Sequence, residues 1–121
     1  MSRPRTIGLV ALGEALHAEF GVNSEILVAD LAVRADVDRV AGRLADPDRP
    51  ISALVNNAGF GLRTSFSRGS VYDEQRLLDV MVTAVMRLTH AAVPGTVERG
   101  TGMVINVSSV ASWIKGGPYS A

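Results

Sequence analysis

Three short runs in this chain have apolar middles: residues 25–30 (Glu-Ile-Leu-Val-Ala-Asp), 51–56 (Ile-Ser-Ala-Leu-Val-Asn) and 102–108 (Gly-Met-Val-Ile-Asn-Val-Ser). None shows the strict apolar–polar alternation of a strand with one face in water, so they read as strands covered on both faces. The segments between them carry a helical period instead. Leu9, Leu12, Leu16 and Phe20 recur on one side of residues 5–20, with Glu14 and His17 opposite and Gly21 where a stop is expected. Gly8 and Gly13 inside this helix each cost about 1 kcal/mol relative to alanine. Residues 35–44 place Val37, Val40, Ala41 and Leu44 on one face, and Pro47 and Pro50 follow. Ser70-Val-Tyr-Asp73 has the form of a capping box opening a long helix that runs to about Val93, where Pro94 stops it. Strands alternating with helices at these lengths imply parallel pairing through right-handed crossovers, hence a layered α/β domain over residues 1–121.

Composition narrows the function classes. Twelve basic residues balance twelve acidic ones, so no net field favours nucleic acid or an anionic membrane. Cysteine is absent, which removes disulfides and thiolate metal sites. No run of apolar residues approaches the ~20 needed to span a bilayer, and Glu14, His17 and Glu19 interrupt the N-terminal apolar stretch that a secretory signal would need. A soluble cytoplasmic protein is the expectation. His17 and His90 have no partners at ligand spacing, so they read as surface or capping residues and no metal site is expected.

The chemistry-bearing strings sit at the ends of the apolar runs. Asn56-Asn57-Ala58-Gly59 closes the second run. Ligands of open parallel sheets bind beyond the carboxyl ends of the strands. A glycine there lets backbone approach a ligand, and asparagine amides can bond strand-end backbone groups. An ordinary turn would use the same residue types. Asp30-Leu31 closes the first run, where a solvent-facing carboxylate is the plain alternative. Ser108 and Ser109 close the third, and Tyr119 follows ten residues after Ser109. A phenol titrates near ~10 and needs a neighbouring positive charge to exchange protons near neutral pH. Trp113, between them, suits pocket lining and core packing equally well.

Together these strings resemble the short-chain dehydrogenase/reductase family, nicotinamide-dependent oxidoreductases. The resemblance runs from about Arg5 to Ala121 and matches the middle of a classical member. It implies a partial doubly wound (Rossmann-like) parallel sheet of three strands with flanking helices. It implies that Asn57, Ala58 and Gly59 line the cofactor crevice and that Asp30 accepts a hydrogen bond from the adenine amino group. Ser109 takes the place of the catalytic serine and Tyr119 that of the tyrosine opening Tyr-x-x-x-Lys. NAD or NADP is then the cofactor, and a small-molecule carbonyl or alcohol the substrate. The interval from Ser109 to Tyr119 is shorter than usual, which implies an abbreviated substrate loop.

The sequence also departs from the family pattern. No Thr-Gly-x-x-x-Gly-x-Gly turn is present to bind pyrophosphate, Met81 stands where the family carries an asparagine, and the lysine after Tyr119 and the later strands are absent. The expectation is a chain truncated at both ends, weakly active or inactive. The alternative is a non-catalytic remnant or an oligomerising interaction subunit. The family order 3-2-1-4-5-6 puts two strands between those matching 25–30 and 51–56. Such a chain either pairs these two runs directly or is marginally stable. Helix 70–93 is apolar around much of its circumference, which suggests a homo-oligomeric interface or a wholly intramolecular core.

Overall fold

Two of the three apolar runs pair as strands. β1 (Ala53–Asn56) and β2 (Met103–Asn106) lie parallel, in register from Ala53 opposite Met103 to Asn56 opposite Asn106, in a computed structural model that describes residues 3–109. Tyr119 and Trp113 lie outside the described residues. A parallel pair needs a crossover rather than a hairpin, and a long helix, α3 (Val71–Arg99), provides it. The expected third strand is not formed: residues 21–30 carry no regular secondary structure, and the sheet described has two strands. A strand persists only where a ladder satisfies its backbone groups, and among the described residues no strand pairs with 25–30. Direct pairing of 25–30 with 51–56 is not made either.

The chain divides after Asp30 into two units, each described by itself. In the N-terminal unit the expected first helix is present as α1 (Arg3–Phe20). It ends at Gly21, whose φ of 67° suits glycine. The Gly21 N–H donates to the His17 carbonyl at 2.9 Å, and His17 Nδ1 donates to the Val22 carbonyl at 3.0 Å, so His17 is a capping residue. Gly13 is explained by packing, because a Cβ there would sit 2.7 Å from Ser24 Oγ. Gly8 has no such reason, with nothing within 4 Å of the corresponding position.

The C-terminal unit is built on α2 (Arg34–Leu44), whose amphipathic face packs on α3. Val37, Ala84 and Leu88 form the buried centre, with Leu31, Val40, Ala41, Leu44 and Leu54 packed around it. An ion pair between Arg87 of α3 and Asp38 of α2 ties the two helices at their edge. Beyond α2 the Asp46 carboxylate accepts bonds from Arg49 Nε at 2.9 Å and the Asp48 N–H at 3.0 Å. These donors hold its pKa below the usual carboxylate range. The sheet is covered on one face only. Leu54 and Val104 are half-buried, whereas Val55, Met103 and Ile105 are exposed, so the expectation of burial on both faces is not met among the described residues.

α3 opens at Ser70, whose hydroxyl accepts from the Tyr72 N–H at 3.2 Å. It widens into a π-helical turn at Asp79–Thr83. It does not stop at Val93. Pro94 lies inside it and the helix continues to Arg99, although an interior proline costs about 3 kcal/mol in an isolated helix. Two downstream features offset that cost. Arg99 Nη2 donates to the Ile51 carbonyl at 2.8 Å, tying the last turn to the start of β1. The helix then closes in a left-handed end at Gly100 (φ 66°), with Thr101 N–H donating to Thr96 O at 3.2 Å and Gly100 N–H to Val97 O at 3.1 Å. By length and composition α3 could cross a membrane, unlike any run noted by residue count. In the fold it is a core helix that buries Val80, Ala84, Leu88 and Ala92.

Gly102 leads into β2 with φ 149°, and a Cβ there would lie 2.5 Å from Thr96 Cγ2. Gly102→Ala is therefore expected to lower unfolding free energy by about 2 kcal/mol. Gly8→Ala is expected to raise the helicity of α1, by about 1 kcal/mol of helix stability. Denaturant melts for the first and far-ultraviolet circular dichroism for the second check these opposite signs. Equal tolerance of both substitutions would contradict the assignment of Gly102 to a position only glycine fits.

Candidate functional site

Because β1 and β2 run parallel with Asn56 opposite Asn106, the residues after each strand leave the same end of the sheet. The Val107 N–H donates to the Asn56 carbonyl at 3.0 Å, the last rung of the ladder. Asn57, Ala58 and Gly59 then emerge beside the segment 107–109, and all six residues are exposed. The structure thus brings together Asn57, Ala58, Gly59 and Ser109 at one carboxyl edge. Asp30 closes the separately described N-terminal unit, and Tyr119 is outside the described residues.

The strand-end asparagine works differently from the sequence expectation. Among the described residues the Asn56 amide bonds side chains rather than backbone. Its Nδ2 donates to Asn106 Oδ1 at 2.8 Å and to Thr89 Oγ1 of α3 at 3.2 Å. One half-buried carboxamide therefore joins both strand ends and the crossover helix. Thr89 was not singled out by its place in the sequence. The available signal was a hydroxyl one helical turn before Ala92, which faces the core.

Gly59 is not required by the described fold. Its φ is not positive, and an added Cβ would meet only Met81 side-chain atoms at 3.7–3.9 Å, ordinary van der Waals contact. Met81, the residue in place of the family asparagine, sits in the π-helical turn of α3 and so lies against this glycine. π-Helical turns recur at functional sites because they re-aim side chains. Here the turn sets a thioether, which has no carbonyl or amide to offer a ligand, beside Gly59 at the carboxyl edge of the sheet. Among the described residues no cluster of three or more His, Cys, Asp or Glu could hold a metal ion.

Two measurements check this geometry. A double-mutant cycle on Asn56→Ala and Asn106→Ala is expected to show coupling of about 0.5–1 kcal/mol, since the side chains bond across the strand ends. Gly59→Ala is expected to change unfolding free energy by less than about 0.5 kcal/mol. A large loss of stability at Gly59 would mean that folding, not ligand approach, demands the glycine.

The family model described as short chain dehydrogenase matches residues 5–121. The NADP-dependent 3-hydroxy acid dehydrogenase YdfG of Salmonella typhi is 35% identical over 109 residues, covering 88% of this chain and 42% of that protein. The uncharacterized oxidoreductase YmfI of Bacillus subtilis (strain 168) is 34% identical over 102 residues, covering 82% of this chain and 40% of that protein. Among solved structures, a short-chain dehydrogenase from Sphingobium yanoikuyae in complex with NADPH superposes with a TM-score of 0.83 at 36% identity, covering 88% of this chain and 42% of that one. The chain thus spans about 40% of the length of the relatives it matches.

Proposed function

The chain belongs to the short-chain dehydrogenase/reductase family, and from that premise we propose that its residues form one wall of the active site of an NAD(P)-dependent oxidoreductase acting on a carbonyl or alcohol. The observation that carries this reading is the parallel register of β1 and β2, which gathers Asn57, Ala58, Gly59 and Ser109 at one carboxyl edge. Gly59 suits a dinucleotide because neither its φ nor its neighbours call for glycine. The nicotinamide, when bound, supplies or accepts the hydride.

The chain's own groups divide the remaining work. Asp30 accepts a hydrogen bond from the adenine amino group, and Asn57 to Gly59 present backbone to the cofactor. The Ser109 hydroxyl holds the substrate oxygen, and the Tyr119 phenol gives that oxygen its proton in the reduction direction. A phenol with pKa near ~10 needs a nearby cation for that step, and these 121 residues contain no lysine one helical turn after Tyr119. They also lack a glycine-rich pyrophosphate turn. By this reading the 121 residues alone are expected to be weakly active or inactive. Titrating the purified 121-residue chain with NADPH and NADH, by cofactor fluorescence and calorimetry, is expected to show no saturable micromolar binding. Micromolar saturation would overturn that assignment of weakness and mark the present residues as sufficient.

A second reading has its own observation. Leu78, Val82, Met86, Val93 and Val97 are all exposed along one stripe of α3, and such a stripe is an association surface. The second copy of this chain is the proposed occupant. Sedimentation at tens of micromolar is expected to give a dimer or larger species that Val82→Glu with Met86→Glu converts to monomer. A wild-type chain that stays monomeric at high concentration removes this reading.

A further inference from the structure

The loop after Gly59 and the first turns of α3 enclose a cavity of about 280 Å³, just under the roughly 300 Å³ lower limit of ordinary small-molecule pockets. Phe60, Leu62, Phe66, Leu77 and Met81 give it an apolar lining, and Glu74 is the one charged residue on its wall. The loop reaches this wall through a 3₁₀ turn at Phe66–Arg68 and then Gly69. A Cβ on Gly69 would lie 3.3 Å from Glu74 Oε1 and 3.3 Å from the Ser65 carbonyl, so the glycine leaves room for the carboxylate.

Three acidic side chains of α2 and α3 have partners, Asp36 with Arg39, Asp38 with Arg87, and Asp79 with the Gln75 amide, whereas Asp73 stands exposed at the start of α3. Among the described residues no hydrogen bond or ion pair engages the Glu74 carboxylate. Its position in the first turn of α3 favours a negative charge through the helix dipole, but exposed Asp73 in the same turn meets that preference without lining the cavity. A carboxylate set against an apolar hollow has one complementary ligand class, a cation attached to an apolar body.

We propose that this cavity binds small apolar amines, with the ammonium at Glu74 and the hydrocarbon or aryl body against Phe60, Phe66 and Met81. The binding needs neither a dinucleotide nor Ser109 and Tyr119, although Met81 lies both on the cavity wall and beside Gly59. The experiment uses the whole 121-residue chain without cofactor, labelled with carbon-13 at the methionine methyls. Three probes of matched size are titrated: phenethylamine, phenethyl alcohol and phenylacetate. Phenethylamine is expected to shift the Met81 methyl saturably and to bind about fivefold or more tightly than the alcohol, with phenylacetate weakest. Glu74→Gln is expected to abolish the preference for amine over alcohol, whereas Asp73→Asn, which changes net charge equally, is expected to preserve it. Equal affinities for amine and alcohol, an undisturbed Met81 methyl, or a preference that survives Glu74→Gln overturns the proposal. The comparison of probes on the unmodified chain decides the matter even where a variant fails to fold.

Discussion

The parallel pairing of β1 with β2 is the constraint on which the remaining architecture depends. Parallel strands cannot be joined by a tight turn, so the chain between them must travel the length of the sheet and return. α3 makes that return, and it is pinned at both ends of the same strand. Near the carboxyl end, Thr89 accepts from the Asn56 amide that also bonds Asn106. Near the amino end, Arg99 donates to the carbonyl of Ile51. With both points held, the helix keeps its course through Pro94, and Ala84 and Leu88 are directed onto Val37 of α2.

The same pairing explains the asymmetric burial. Two strands and two helices of the C-terminal unit can cover one sheet face, and they do so through Leu54 and a centre made of one valine, one alanine and one leucine. Val55, Met103 and Ile105, on the other side of the pleat or at its start, remain in water. A sheet built of near-continuous apolar runs belongs to folds with both faces covered. The described unit therefore carries strand composition suited to a larger layered domain, in keeping with a chain that spans about 40% of its relatives. A core this small supplies only a few kcal/mol, which is why single positions such as Gly102 weigh heavily in its stability.

Much of this was legible in the residues, and the exceptions have physical causes. The helical periods of 5–20 and 35–44 and the stop at Gly21 were readable because local periodicity and glycine's access to positive φ act over a few residues. The carboxyl-edge grouping of Asn57 to Gly59 with Ser109 followed from strand–helix alternation, which dictates parallel pairing. Residues 25–30 have strand composition but no strand, because a ladder is a property of a pair and the sequence of one member cannot supply the other. Pro94 misled as a stop because the interactions that carry the helix past it, at Arg99 and Gly100, join residues distant in sequence or lie beyond the proline. The π-helical turn around Met81 likewise has no residue signature of its own.

The glycines separate folding demands from ligand demands more sharply than any single motif. Gly102 is required by a φ of 149° and by Thr96 pressed against it, whereas a Cβ at Gly13 would meet chiefly the Ser24 hydroxyl, which can rotate. Substituting Gly102 must disturb what lies beside it. Gly59 meets only the flexible end of Met81, at ordinary contact distance, in a conformation open to any residue. A small residue that the described fold does not need, placed at the carboxyl end of a parallel strand, leaves the backbone there open to close approach. Under the dinucleotide proposal, that openness is a steric fact about one position, independent of the likeness of a four-residue string.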